Sequence, residues 1–340
     1  MLLELIAPSF LSFLIVLIFT PRIINYFKDA KIVSRDVHKV GKPLIPNSSG
    51  IPVILGVFIG LFFYIFIKVF LFREYTELIV LLASMLSILM ITFVGFVDDI
   101  NSSQVKVAGY IEGKKGLKRW QKPLLTLPAA LPLMVIAAGT TTVNLPFVGV
   151  IDLGVLYPLV IVPLGIVGAS NMVNMLGGLN GLEAGMGLVY TFSLGLFSLL
   201  KQSIIASLLF FTVFSSLLAI LKYNKYPARI LAGDSLTYLL GATIAVGAII
   251  GNIERAAIVV MTPFIIQGIL KFYSLFKLKH FASDLGILQK DGTIKSKYGK
   301  NIYSLTHFVM NLGKFNEKQI VFILVLIQLV FAVIPFLNIF

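Results

Sequence analysis

Ten apolar stretches divide this chain, and their lengths restrict the fold more than any single motif does. They run over residues 2–20, 51–71, 78–97, 123–139, 152–170, 184–200, 203–221, 236–251, 256–276 and 319–339. A helix needs roughly 20 apolar residues to cross a hydrocarbon core of about 30 Å. The fourth and eighth stretches are short of that length; the others meet it or nearly so. Too little polar sequence remains to clothe a soluble domain, because 13% of the 340 residues are charged, against about a quarter in soluble proteins. The chain is therefore predicted to be an all-α polytopic membrane protein with about ten transmembrane helices. It reads as a single integral membrane domain over 1–340 with short cytoplasmic loops. Pro128, Pro132, Pro163 and Pro263 fall inside spans, where packed membrane helices tolerate them. The first run starts at residue 2 without a basic leader and reads as a retained helix.

The basic residues set the orientation. Of 28 Lys and Arg, only Lys68, Arg73, Lys201 and Arg255 lie on one side of the spans. The other 24 lie in or beside 21–50, 98–122, 171–183, 222–235 and 277–318. Positive residues mark the cytoplasmic side, so these loops are expected inside and both termini outside. The net charge of +13 is thus an inner-face charge, chiefly a topology signal and an attraction to anionic lipid, with a minority left to hold an anionic substrate. Nucleic-acid binding is disfavoured, since no soluble domain exists to carry it. The chain has no cysteine, which removes disulfides, thiol nucleophiles and thiolate metal sites. A small insert at about 278–318 is expected between helices nine and ten, with a hairpin at Leu288–Ile294 around the Asp291-Gly292 turn signal.

Several polar residues sit where helix physics disfavours them. Asp98 and Asp99 end the third span, facing the negative end of the helix dipole and each other. They are either a solvated helix end or a cation or proton site. Lys122 opens the fourth span, again on the unfavourable side of the dipole; it either snorkels or holds an anion. Asn171 and Asn174 are spaced i, i+3 and share a helix face. Gly177 and Gly178 then break the helix and let backbone N–H groups approach a ligand. Asn180 and Glu183 fit an N-cap with a carboxylate at its third position, and Asp234 fits a plain N-cap for the eighth span. All these residues, with His280, fall on the basic side. Oxygen donors without cysteine suit Mg²⁺, with Mn²⁺ possible, and not zinc. Mg²⁺ with a lysine and loop amides is equipment for holding a diphosphate.

The segments Gly95-Phe96-Val97-Asp98-Asp99, Asn171–Glu183 and Ala232-Gly233-Asp234-Ser235 resemble those of the polyprenyl-phosphate N-acetylhexosamine-1-phosphate transferases. The likeness includes Asp36-Val37-His38-Lys39 and Pro46-Asn47-Ser48-Ser49-Gly50 and runs through nearly the whole chain. Asn180–Gly185 and Tyr226-Pro227-Ala228-Arg229 are similar to the eukaryotic and archaeal branch. That resemblance implies ten helices, a homodimer and a cytoplasmic active site, in a plasma membrane for a prokaryote or an endoplasmic reticulum for a eukaryote. The implied reaction moves GlcNAc-1-phosphate from UDP-GlcNAc to a polyprenyl (dolichyl) phosphate and releases UMP. Asp234 and Asn174 would hold Mg²⁺, Lys122 would contact phosphate and Asn180 would read uracil. Asp98 and Asp99 would serve the acceptor or the metal. Lys39, Asn47, Asn171, Gly178, Glu183, Lys279 and His280 complete the implied substrate-binding set. Phe281 stands where the family has a basic residue, and Leu231 where an aromatic ring can stack on uracil. Extra basic residues at Lys114, Lys115, Lys118 and Arg119 are expected to meet the membrane surface. The alternatives are a transporter or flippase for a phosphorylated lipid or sugar, and the same reaction with another UDP-N-acetylhexosamine.

Overall fold

The computed structural model describes residues 2–107, 110–113, 116–118, 120–145 and 149–337. Lys114, Lys115 and Arg119 lie outside the described residues. The helices are α1 (Leu2–Asp29), α2 (Gly50–Phe66), α3 (Leu78–Ser102), α4 (Gln121–Thr126), α5 (Leu131–Val135), α6 (Val162–Asn174) and α7 (Leu182–Leu200). They continue as α8 (Ile204–Asn224), α9 (Gly233–Gly251), α10 (Glu254–Val260), α11 (Thr262–Leu278), α12 (Leu305–Leu312) and α13 (Glu317–Val333). The strands form four antiparallel hairpins: β1 (Val33–Arg35) with β2 (Leu44–Pro46), β3 (Gln104–Val107) with β4 (Tyr110–Gly113), β5 (Thr142–Leu145) with β6 (Gly149–Asp152), and β7 (Ile287–Leu288) with β8 (Ile294–Lys295). The last is the hairpin expected in the insert, with Gly292 at φ +81° in its turn.

Among the described residues, eight helical stretches are long and apolar enough to span a bilayer, and α10 with α11 makes a ninth, bent by 60°. The protein is a multi-pass integral membrane protein. The expected fourth span departs from a regular helix. α4 and α5 are joined by a tighter 3₁₀ turn, Leu127–Ala130, because Pro128 and Pro132 lack the N–H that a continuous helix requires. The helical part, 121–135, rises only about 22 Å at 1.5 Å per residue. The chain still crosses the bundle here. Lys122 touches Asp234 at the start of α9, whereas a Cβ on Gly139 would lie 3.1 Å from the carbonyl of Ile249 near its end.

α9 is the axis of the molecule. From Ser235 to Ile249 every residue is buried, and α2, α3, α6 and α8 pack around it. Without a hydrophobic drive between helices in lipid, such packing relies on small residues that let backbones approach. A Cβ on Gly241 would stand 2.4 Å from the Ser170 Cα, and one on Gly95 2.4 Å from the Asp234 carbonyl oxygen. The outer faces carry exposed Phe93, Leu164, Phe322 and Val330, as lipid contact requires.

Candidate active site

Gly95 has a consequence four residues on. By bringing α3 against the first turn of α9, it delivers Asp99 to the N-terminus of that helix. Asp99 Oδ1 accepts from the Asp234 N–H at 2.7 Å and from Asn47 Nδ2 at 3.1 Å. Its Oδ2 accepts from the Ser235 N–H at 3.0 Å and from Ser48 Oγ at 2.8 Å. Gly233, at φ +71°, leaves the room: a Cβ there would fall 2.4 Å from Asp99 Oδ2. The cap of α9 is thus a side chain from another helix. Asp234, read from sequence as a plain N-cap, instead lies inside the first turn with its carboxylate free for other work.

That carboxylate meets Lys122. Lys122 Nζ lies 2.6 Å from Asp234 Oδ2 and 2.7 Å from Asp98 Oδ2. Asn174 Nδ2 donates to the same Asp234 oxygen at 3.1 Å, while Thr237 Oγ1 donates to Asn174 Oδ1 at 2.8 Å. The Leu117 N–H bonds Asp98 Oδ1. Adjacent residues on a helix diverge by about 100°, so Asp98 and Asp99 face different partners.

A cavity of about 270 Å³ opens beside this cluster. Asn47, Asn174, Gly177, Gly178, Glu183 and Asp234 all line it. Asn180 is buried beneath its floor, and the helix start is not the capping arrangement expected from sequence. Asn180 Oδ1 accepts from the Ala228 N–H at 2.9 Å, and Glu183 Oε1 from the Gly178 N–H at 2.6 Å. The Gly178 amide is therefore taken by the protein's own carboxylate. Asn171 bonds the Val167 carbonyl at 2.8 Å and Thr126 at 3.4 Å, one turn away from Asn174. Lys39 lies apart, 2.6 Å from Glu317 Oε2.

The insert reaches the cavity through Asp284 and Leu285. Lys279 and His280 are exposed at the end of α11, the His280 ring bonding the Leu278 carbonyl at 2.8 Å. Asp284 is held by Lys271 at 2.7 Å and Gln267 at 3.0 Å; burial pushes its carboxyl above the usual range, and Lys271 opposes that. Gln267 also donates to the Met175 carbonyl at 2.7 Å and accepts from the Leu305 N–H at 2.8 Å. It thereby ties the insert to the cavity floor. Gln267 and Lys271 are polar residues four apart in an apolar span, a signal that sequence reading can use. Glu317 carried no such signal, because a carboxylate at a helix start is ordinary.

Two carboxylates, Asp98 and Asp234, share one ammonium here, while Asp99 is spent on Asn47, Ser48 and the α9 backbone. Among the described residues no three His, Cys, Asp or Glu side chains form a closed metal site. The donors do suit Mg²⁺, which takes one or two carboxylates and completes its octahedron with water and substrate phosphate. Lys122 Nζ already marks the point between Asp98 and Asp234 where positive charge is favoured. Asn174 Oδ1 keeps a second lone pair beyond its bond from Thr237.

Comparison with known proteins shows the family. The sequence pattern of glycosyl transferase family 4 matches residues 78–252, from the start of α3 to just past α9. A Saccharolobus solfataricus protein is 33% identical over 334 residues, covering 98% of this chain and 96% of its own. This chain belongs to glycosyl transferase family 4. The Saccharolobus relative bears provisionally the name UDP-N-acetylglucosamine–dolichyl-phosphate N-acetylglucosaminephosphotransferase. A Dictyostelium discoideum protein bears that name outright, at 26% identity over 91% of this chain and 81% of its own. A phospho-N-acetylmuramoyl-pentapeptide-transferase of Streptococcus thermophilus is 26% identical over 75% of each chain. The family member described here is an enzyme of the glycosyl-1-phosphate transferase type.

Proposed function

We propose that this protein transfers GlcNAc-1-phosphate from UDP-GlcNAc to a polyprenyl phosphate of the dolichyl type, forming GlcNAc-diphosphate-lipid and UMP. The observation that carries the reading is Lys122, bonded to Asp98 and Asp234 from two other helices, with Asp234 also lining the cavity. Relatives matched end to end support the choice of substrates. The acceptor needs no protein nucleophile, because a phosphate monoester is largely dianionic near neutral pH, with a second pKa of about 6. Its oxygen attacks the β-phosphorus of the donor; the bond from that phosphorus to the bridging oxygen breaks, and UMP leaves with that oxygen.

Two anions must meet, so the site has to supply positive charge. Lys122 supplies one, held in place by its two carboxylates. Asp234 and Asn174 would hold Mg²⁺, which when bound neutralises the diphosphate and the charge growing on the leaving UMP. Asp98 is assigned the role of taking the last proton from the acceptor. Asp99 shapes the site from behind, by fixing the first turn of α9 and with it Asp234. The uridine half is assigned to the floor at Gly177–Asn180 and the sugar to the Asp284–Leu285 side.

In this reading the active site faces the cytoplasm, both termini lie outside, and the basic loops draw the nucleotide sugar to the membrane. The protein acts as a homodimer, in the plasma membrane of a prokaryote or the endoplasmic reticulum of a eukaryote. Purified protein is expected to release UMP from UDP-GlcNAc only with both polyprenyl phosphate and Mg²⁺ or Mn²⁺ present. UDP-GalNAc and UDP-glucose should be poorer donors. Movement of a labelled lipid or sugar across vesicles without UMP release would overturn the reading in favour of a transporter.

A further inference from the structure

Glu317 opens α13 with its side chain 3% exposed, and the reaction above makes no use of it. A buried carboxylate is costly unless its oxygens are paired, and both are. Oε2 takes Lys39 Nζ at 2.6 Å, and Oε1 takes the main-chain N–H of Asn180 at 2.7 Å. It is not needed as a cap, because Asn316 and Gln319 already form a complete capping box for α13.

Its partners belong to different inter-helix turns. Lys39, between α1 and α2, also stands 4.0 Å over the Tyr226 ring, which lies between α8 and α9. Asn180 ends the α6–α7 turn and holds Ala228, again between α8 and α9, through its side chain. One carboxylate therefore gathers three turns. The turn it grips directly is the cavity floor, whose other end Glu183 grips at the Gly178 N–H. The floor is pinned at two points, from α7 and from α13.

We propose that Glu317 is a positioning residue for the nucleotide half of the site. It sets the floor at Gly177–Asn180, and so governs donor binding, while leaving the Asp98–Lys122–Asp234 chemistry alone. The kinetic consequence rests on the proposed function; the positioning itself does not.

The test uses the full-length protein in lipid nanodiscs, as wild type, Glu317→Ala and Glu317→Gln. Amide hydrogen exchange at 177–181 and 226–229 should quicken by about tenfold or more in Glu317→Ala and stay unchanged at 96–101. The donor KM should rise about tenfold, with kcat within about threefold and the acceptor KM within about twofold. Glu317→Gln retains an oxygen for the Asn180 N–H and should fall between the two. Unchanged exchange at the floor overturns the proposal, as does a uniform loss of kcat and both KM values together with Tm. Should the wild type release no UMP, the proposed function fails by itself. Calorimetric UDP binding then decides this point: weaker binding in Glu317→Ala supports positioning, and equal binding overturns it.

Discussion

Lys122 and Asp99 do opposite kinds of work within one cluster, and substitutions should separate them. Lys122 lends its charge to the site, so Lys122→Met should lower kcat/KM by about 100-fold, the usual effect of removing one preorganised charge donor. Lys122→Arg should not rescue it, because a planar fork cannot occupy the point between two carboxylates that a compact ammonium fills. UMP release at saturating acceptor measures both. Asp99 instead accepts four hydrogen bonds, two of them from the α9 backbone. In Asp99→Asn one oxygen becomes a donor facing donors, at a cost of about 1–3 kcal/mol for each group left unpaired. Thermal unfolding should fall together with activity in Asp99→Asn. In Lys122→Met it should fall as well, because Asp98 and Asp234 lose their shared cation, and adding Asp98→Asn should restore Tm without restoring activity. The carboxylate pair was legible in the sequence as residues out of place. Which member meets lysine and which caps α9 was not, since that depends on the angle at which α3 meets α9. The same limit explains Asn180, whose identity suggested ligand contact but whose side chain is spent on Ala228.

The elements carry the precision of the site. α3 and α9 touch through Gly95, where a Cβ would lie 2.4 Å from the Asp234 carbonyl. Gly95→Ala should force the helices apart at a cost of about 1–3 kcal/mol, in the range of overpacking. It should lower activity through Asp234 without altering any polar residue. Periodicity and apolar length made the long helices readable, but not the fourth crossing, where Pro128 and Pro132 convert one span into three short pieces. The insert adds a titratable element outside the spans. His307 on α12 is buried, and burial lowers its pKa to about 4, with Lys271 and Lys297 nearby adding to the effect and the Ser283 carbonyl opposing it. An unfolded histidine binds its proton near pH 6.5. Between these values the unfolded insert takes up the proton and the folded one does not, so stability is lost as pH falls from about 6.5 to about 4. Exchange at 305–312 should quicken over that interval in the wild type, and less so in His307→Gln.

At the scale of the whole molecule, every site residue argued above lies at one end of the bundle. The ends of α3, α6 and α8 meet the starts of α4, α7, α9 and α13 there. The opposite end carries Asp152, whose carboxylate bonds the Gly154 N–H at 3.0 Å, and the Tyr157–Glu254 contact. The proposed orientation therefore reduces to one question, which end faces the cytoplasm, and the charge asymmetry is the ground for proposing the basic end. The absence of native cysteine makes the answer measurable with single introduced thiols. Lys300→Cys lies in the insert and Asp152→Cys in the β5–β6 hairpin, both at exposed positions. A membrane-impermeant maleimide added to intact cells should label Asp152→Cys at once, and Lys300→Cys only after the membrane is opened. The reverse pattern would place the Lys122 cluster outside, away from cytoplasmic UDP-sugars, and would exclude the proposed donor. Labelling of both in intact cells would mean an even number of crossings between them, against the five that α6, α7, α8, α9 and the bent α10–α11 pair make. The short Gln121–Val135 segment lies before both positions, so a third thiol at Lys42, exposed between α1 and α2, isolates it. Lys42→Cys should share the protected state of Lys300→Cys, because that broken helix crosses the bundle; a difference between them would mean that the segment turns back.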